Sequence, residues 1–211
     1  MNGLGLSGDC PGLWERLSTP FNIDLVHTGV GKANASGAIA RVLDLERHLG
    51  VLSVGIAGAL PGSGCALGDI ICGSNSVFAD EGVNTPEGFV SCASMGFAPF
   101  LTGSDAIEHD LGVLGWLGCV SGHQGPIATV SSCSGTDACA ASIVERTGAI
   151  AEAMEGAAAA MAAKRIDPTM CTGELRVISN TTGDRDGQYW DLDGALDALG
   201  CVLGRIAGGL R

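Results

Sequence analysis

Positive charge is what this chain has least of: 11 Lys and Arg stand against 23 Asp and Glu, a formal net charge of −12. Binding nucleic acid by neutralising phosphates needs a basic stripe, and so few cations do not make one. The acidic balance is ordinary for a soluble enzyme and names no macromolecular partner. Aromatic residues are also scarce at 4 %, against 34 glycines and an apolar fraction of 46 %. A core of that composition is packed by Ala, Val, Ile and Gly, with backbones approaching closely. Long apolar runs are missing, since none reaches the roughly 18 to 20 residues that a membrane helix needs. The stretch before Asp24 also lacks the basic-then-apolar order of a signal peptide. These absences predict a soluble, cytoplasmic protein with no membrane association.

Cysteine is plentiful, at nine residues, but its pattern is not that of a framework. Cys10, Cys65, Cys72, Cys92, Cys119, Cys133, Cys139, Cys171 and Cys201 include no C-x-x-C pair, their number is odd, and no Cys/His cluster has zinc spacing. They are expected to be mainly small buried hydrophobes in a reducing compartment, with no metal site.

A length of 211 residues suits one α/β domain, residues 1–211, with no repeat or linker. Asp24 to Val30 reads as a short strand running into a glycine turn, Gly29-Val30-Gly31-Lys32. Asn34 or Ser36 then caps a helix carrying Ile39, Val42, Leu43 and Leu49 and ended by Gly50. Val51 to Ile56 is a near-continuous apolar run, as expected of a central strand covered on both faces. Further strands are predicted over Ile70 to Phe78, Ile127 to Ser132 and Leu175 to Ser179. Helices are predicted over Thr136 to Arg146, Ala149 to Lys164 and Leu192 to Ala207. Thr85 to Leu111 yields no assignment. The alternation predicts an α/β fold with a central mixed β-sheet flanked by helices.

Phosphate-loop motifs fail on inspection. A Walker loop ending at Gly31-Lys32 needs glycine where Val26 stands and Ser or Thr where Ala33 stands, and a G-x-G-x-x-G reading meets Asn34 at its third glycine. The turn is therefore read as a strand-to-helix connection. No H-E-x-x-H or G-x-S-x-G is present either.

Four segments remain. Gly55-Ile56-Ala57-Gly58-Ala59-Leu60, followed by Gly68-Asp69-Ile70, is a strand and a glycine turn leading to a second strand. Met154-Glu155-Gly156 puts a carboxylate into an otherwise apolar helix, either on its solvent face or in a site. Arg176-Val177-Ile178-Ser179-Asn180 is a buried strand ending on a polar loop that reaches Arg185 and Trp190. Ser132 to Asp137 follows another strand.

In order and spacing these segments resemble the nucleoside phosphorylase and purine nucleosidase superfamily, and futalosine hydrolases in particular. The resemblance covers Asp24 to the C-terminus, with Thr85 to Leu111 indistinct. It implies a nucleoside-phosphorylase-like fold and a homo-oligomer. It also implies a small-molecule nucleoside substrate and no cofactor. By the same resemblance, Glu155 accepts hydrogen bonds from the vicinal ribose hydroxyls while Met154 packs on the sugar. Acceptor-only chemistry suits two adjacent hydroxyl donors. Negative charge there also favours the oxocarbenium-like sugar that forms as the glycosidic bond breaks.

Arg176 matches a family arginine near the water or phosphate site; Ala57, Gly58, Ser134 and Ser179 shape the pocket. Asn180 takes the base-contacting position. An adenine nucleosidase typically has Asp there, whereas a 6-oxopurine needs a donor facing O6 and an acceptor facing N7, and one amide supplies both. Where the superfamily often has Ser or Thr to hold phosphate, this chain has Ile56, which favours a hydrolase over a phosphorylase.

The implied reaction is hydrolysis of the N-ribosidic bond of futalosine, releasing hypoxanthine and dehypoxanthine futalosine in menaquinone biosynthesis. The alternatives are a 6-oxopurine nucleoside phosphorylase and a non-catalytic purine-nucleoside binder. Members of the superfamily usually open with an apolar strand ending in an acid that handles the attacking water. No such strand is legible before Asp24, and Glu15 has no comparable setting. The domain is expected to lack that strand or to start upstream of Met1, leaving the general base unassigned.

Overall fold

A computed structural model of the protein describes residues 11–118 and 120–209. The chain enters through a small antiparallel ribbon, β1 (Arg16–Ser18) with β2 (Asp24–Val26), and turns into α1 (Lys32–Val42). β3 (Gly50–Ala59) and β4 (Ile70–Phe78) follow. A hairpin comes next, β5 (Gly82–Thr85) with β6 (Gly88–Ser91), then β7 (Ala106–Glu108) and α2 (Leu111–Gly118). The remaining elements are β8 (His123–Thr129), α3 (Asp137–Thr147), β9 (Ala151–Ala153), α4 (Gly156–Ile166), β10 (Cys171–Thr181) and α5 (Leu192–Gly209).

Six strands form one mixed sheet in the order β10-β3-β9-β8-β4-β7. β3 runs parallel to β10, and β8 runs parallel to both β4 and β9, while β9 lies antiparallel to β3. Leu175, Arg176 and Val177 of β10 also pair with Cys72, Ile71 and Ile70 of β4, so the sheet curls round and closes on itself. Ala57, Ala59, Ile71, Ile127, Ala151, Ala153 and Ile178 from five of its strands form one buried cluster. Four of those seven are alanines. Small side chains let strands lie face to face across a tight curl, which explains the aromatic-poor composition.

Helices cover the outside. α4 buries Ala157, Ala158, Ala159, Ala160, Ala162 and Ala163 against α1 and the sheet, and α2 and α5 pack on β10 with Leu117, Val202 and Ile206. The expected α/β fold with a helix-flanked mixed sheet is therefore present, as a single body. Among the described residues no helix is long and apolar enough to cross a membrane.

Several boundaries differ from the sequence expectation. The helix predicted over Ala149 to Lys164 starts only at Gly156; Ala151–Ala153 is β9, inserted between β3 and β8. Pairing with two neighbours outweighs the helix propensity of alanine. Glu155 consequently caps α4 rather than sitting inside it. α1 begins at Lys32 and ends at Val42, so Gly50 opens β3 instead of closing a helix, and Asn34 and Ser36 lie within α1. Their side chains donate back to the carbonyls of Val30 and Lys32. The cysteines are not mainly buried either. Of the seven described as free thiols, only Cys72 is buried, while Cys133, Cys139 and Cys201 are exposed. Cys10 and Cys119 lie outside the described residues.

Among the described residues, the edge of β3 away from β10 pairs with a strand only at Gly58 and Ala59. Glu15 stands at the exposed start of β1, accepting from its neighbour Gly12 N at 3.0 Å.

Candidate active site

Two polar clusters sit along the β3–β10 pair. Arg176 is in register with Gly55 and Asn180 with Gly58. Three strand positions at about 3.3 Å each separate the clusters by about 10 Å.

The first cluster centres on Arg176, which is 2 % exposed. Its Nε donates to Glu174 Oε1 at 2.8 Å, its Nη1 to Glu155 Oε2 at 3.1 Å and its Nη2 to Ser53 Oγ at 2.8 Å. Glu155 also accepts from Gly31 N at 2.9 Å, the amide of the glycine turn before α1. Gly31 has φ +95°, a conformation that costs glycine nothing and other residues much. One guanidinium thus serves two carboxylates, leaving one negative charge in excess. Glu174 is fully buried, whereas the Glu155 side chain keeps 18 % of its surface. The surplus negative charge therefore faces outward through Glu155.

Behind Arg176 a buried chain continues. Ser76 Oγ donates to Glu174 Oε2 and lies 2.9 Å from His109 Nε2, and His109 Nδ1 is 3.3 Å from Thr172 Oγ1. Burial holds the His109 pKa below its ordinary 6.5, opposed in part by the nearby Glu174 charge.

The second cluster centres on Asn180, at the end of β10. A bulge between Ile178 and Asn180 shifts the register there. Asn180 Oδ1 accepts from Ser179 Oγ at 2.9 Å and Nδ2 donates to Thr181 O at 2.8 Å. The carboxamide so keeps one N–H and one oxygen lone pair unspent. It lies over Gly58, where an added β-carbon would be 2.9 Å from Asn180 Nδ2. Ser179 Oγ also reaches Ala57 O at 3.3 Å, tying Ala57 and Gly58 to the same strand end.

Ser134, in the loop before α3, is held from both sides. Its N–H and Oγ donate to the Glu152 carboxylate at 2.9 and 2.7 Å, and its carbonyl accepts from Gln188 Nε2 at 3.0 Å. Gln188 further donates to Gly183 O and accepts from Trp190 Nε1 and Arg185 Nη1, so the segment after β10 is latched to the loop before α3. Burial raises the pKa of Glu152, against the lowering effect of its two bonds from Ser134.

Of the residues expected from the sequence, Glu155 and Arg176 meet in the first cluster and Asn180, Ser179, Ala57 and Gly58 in the second, whereas Ser134 is bonded to Glu152 and Gln188 and Met154 is half-buried next to Glu155 in the chain. Sequence reasoning missed Glu174, Ser53, Ser76, Glu152, Gln188 and the Gly31 amide. Glu174 carried a legible signal, because residues two apart on a strand share a face and an acid two before a buried arginine is a ready partner. A cavity of about 530 Å³ beside Asn75, Phe89, Asp105 and Arg146 contains none of these residues. Among the described residues no group of three or more His, Cys, Asp or Glu could hold a metal ion.

A curled mixed sheet with an Arg–Glu pair at one end and a carboxamide at the other defines the class. The family model described as the Phosphorylase superfamily matches residues 22–206, and the chain belongs to that superfamily. Within it the chain is similar to proteins named futalosine hydrolase. The one from Acidothermus cellulolyticus is 38 % identical over 83 % of this chain and 71 % of its own. The one from Streptomyces coelicolor is 32 % identical over 89 % and 80 %, and that from Thermus thermophilus 34 % over 86 % and 79 %. Among solved structures, the 5′-methylthioadenosine/S-adenosylhomocysteine nucleosidase of Neisseria meningitidis, in complex with methylthio-immucillin-A, superposes with a TM-score of 0.71. It is 20 % identical over 88 % of this chain and 80 % of its own, a likeness of fold.

Proposed function

We propose that the protein hydrolyses the N-ribosidic bond of futalosine, releasing hypoxanthine and dehypoxanthine futalosine in menaquinone biosynthesis. The observation that carries the reading is the carboxamide of Asn180 over Gly58, in a chain similar to three futalosine hydrolases. Its free N–H donates to O6 of the departing base and its free lone pair accepts from N7 once that nitrogen is protonated. The base then leaves as a neutral purine rather than an anion.

Glu155 accepts from the ribose hydroxyls, and its outward negative charge stabilises the cationic sugar as the C1′–N9 bond stretches. Met154 packs beside the ring. Arg176 is pinned by Glu174 and Ser53 and orients the attacking water; a guanidinium does not deprotonate and so acts by placement alone. Water supplies the oxygen that bonds to C1′; one of its protons stays on the new 1′-hydroxyl, and the other balances the proton that the departing base takes up. Ile56 has no donor for a phosphate at the position discussed above, which favours water as the nucleophile. These steps need no metal or organic cofactor, and the chain acts as a cytoplasmic homo-oligomer on a small nucleoside.

The test is hypoxanthine release, by chromatography, from futalosine and from inosine, each with and without phosphate. Phosphate-independent release from futalosine is the expected result. Strict phosphate dependence moves the assignment to a phosphorylase, and purine binding without release moves it to a binding protein.

A further inference from the structure

Thr172, Glu174 and Arg176 alternate along β10 and so share one face of it. The curl of the sheet brings Ser76 of β4, and His109 just after β7, onto that face. All five side chains are buried, so they satisfy one another rather than bulk water. The reaction above uses Arg176, pinned by Glu174, and leaves His109 without a task.

Counting hydrogens fixes the state of the imidazole. A hydroxyl has one hydrogen and two lone pairs, and a carboxylate only accepts. Glu174 is ion-paired with Arg176, so its bond with Ser76 takes the serine hydrogen. Ser76 Oγ then has only lone pairs to offer His109 Nε2, 2.9 Å away, and that nitrogen must carry the ring proton. His109 Nδ1 is left bare and accepts from Thr172 Oγ1 at 3.3 Å. Burial keeps the ring neutral, against the charges of Glu174, Asp110 and Glu108 and together with that of Lys164.

The ring is fixed in this position from its backbone. His109 N donates to Ser74 O at 3.0 Å, and the next residue, Asp110, accepts from Thr172 N at 2.8 Å. A proton on Nδ1 instead would leave Nε2 bare, and Nε2 would compete with Glu174 for the one Ser76 hydrogen. Glu174 Oε2 would then lose its donor inside the core, where an unsatisfied carboxylate oxygen forces rearrangement. The group that Glu174 would drag with it is the Arg176 guanidinium, bonded to its other oxygen.

We propose that His109 is a positioning residue for the reaction: as its Nε2–H tautomer it keeps the Ser76 hydroxyl on Glu174, and thereby holds Arg176 where it places water. The inference rests on the reading of Arg176 above and deepens it.

The experiment compares two replacements of different reach. Glutamine at 109 sets an amide N–H where Nε2 stands, whereas asparagine reaches only as far as Nδ1. Steady-state hypoxanthine release from futalosine should show kcat about 10- to 100-fold lower in His109→Asn, with KM within about twofold, and largely restored in His109→Gln. Ser76→Ala should lower kcat in the same way, and adding His109→Asn to it should lower kcat no further. A side chain that merely fills the core would give losses that add. In the wild type, nitrogen-15 NMR of the buried one of the four histidines should show a protonated Nε2 and a bare Nδ1.

A wild-type ring protonated on Nδ1, equal kcat in the asparagine and glutamine variants, or additive losses with Ser76→Ala each overturn the proposal. The tautomer decides the matter on the wild type if the variants do not fold. Hypoxanthine release from futalosine by the wild type reads the parent hypothesis separately, and its absence removes the positioning role along with the reaction.

Discussion

Gly156 faces the carboxylate of Glu174 so closely that no β-carbon fits at position 156. The last residue of Met154-Glu155-Gly156 is therefore glycine because of an acid eighteen positions further on, in another strand. Gly55 makes the same kind of room for the Arg176 guanidinium. A buried polar chain is threaded through gaps that glycine leaves.

Gly156→Ala should push Glu174 away from Arg176 or lift the first turn of α4. Overpacking of this kind costs about 1–3 kcal/mol. Urea unfolding checks the stability loss, and turnover should fall with it because Glu155 caps the same helix.

Glu174→Gln keeps the shape but leaves Arg176 with one carboxylate instead of two. Removing one partner of a buried ion pair typically costs about 3–5 kcal/mol, and the amide oxygen still available to Nε puts this variant at or below the lower end. Since Arg176 positions water rather than the base, kcat should fall with little change in KM. Steady-state kinetics on futalosine measures both.

Asn180→Asp sets a carboxylate against O6. An opposed buried acceptor costs about 1–3 kcal/mol, so kcat/KM for hypoxanthine release should drop by about 10- to 100-fold. Unchanged release from this variant would remove Asn180 from the base site.

Glu155→Gln retains hydrogen-bonding capacity but loses the outward charge. Loss of one group stabilising transition-state charge lowers kcat by about 10²–10³-fold. Single-turnover measurement separates this from any effect on substrate binding.

Acid should destabilise the protein through His109. Its folded pKa lies below the ordinary 6.5, so as pH falls the unfolded chain takes up the proton first. The contribution is full above about pH 6.5 and is lost as pH falls through the lower folded value. Glu152 works the other way: its pKa is raised from 4.5, so its contribution is present below that value and lost as pH rises through the folded one. Urea midpoints from about pH 7.5 to about pH 5.5 should fall for the wild type, and His109→Asn should flatten that decline.

Much of the fold was legible because local pattern and tertiary role coincide. β4 runs over Ile70–Phe78, as predicted, because the Gly68-Asp69 turn marks its start. Thr136 and Gly148 mark the ends of α3 as cap residues do. Where the two diverge, pattern misled. The alanine run predicted helix through Ala151–Ala153, and only the space between β3 and β8 made those residues a strand. β6 and β7, within Thr85 to Leu111, and α2, which starts at its end, are short elements whose residues are ordered by the neighbours they pack against.

For the site, the sequence by itself determined which groups are present: an acid at 155, an arginine at 176 and an amide at 180, carried by residue type and order. Tertiary structure alone decided who meets whom. Glu174 and Glu155 share Arg176, and Glu152 stands opposite Asn180 across Gly58, because strands distant in the chain are paired in register. Residue chemistry is local and can be read along a chain. Strand register is a property of the closed sheet, set by the packing of all its faces at once.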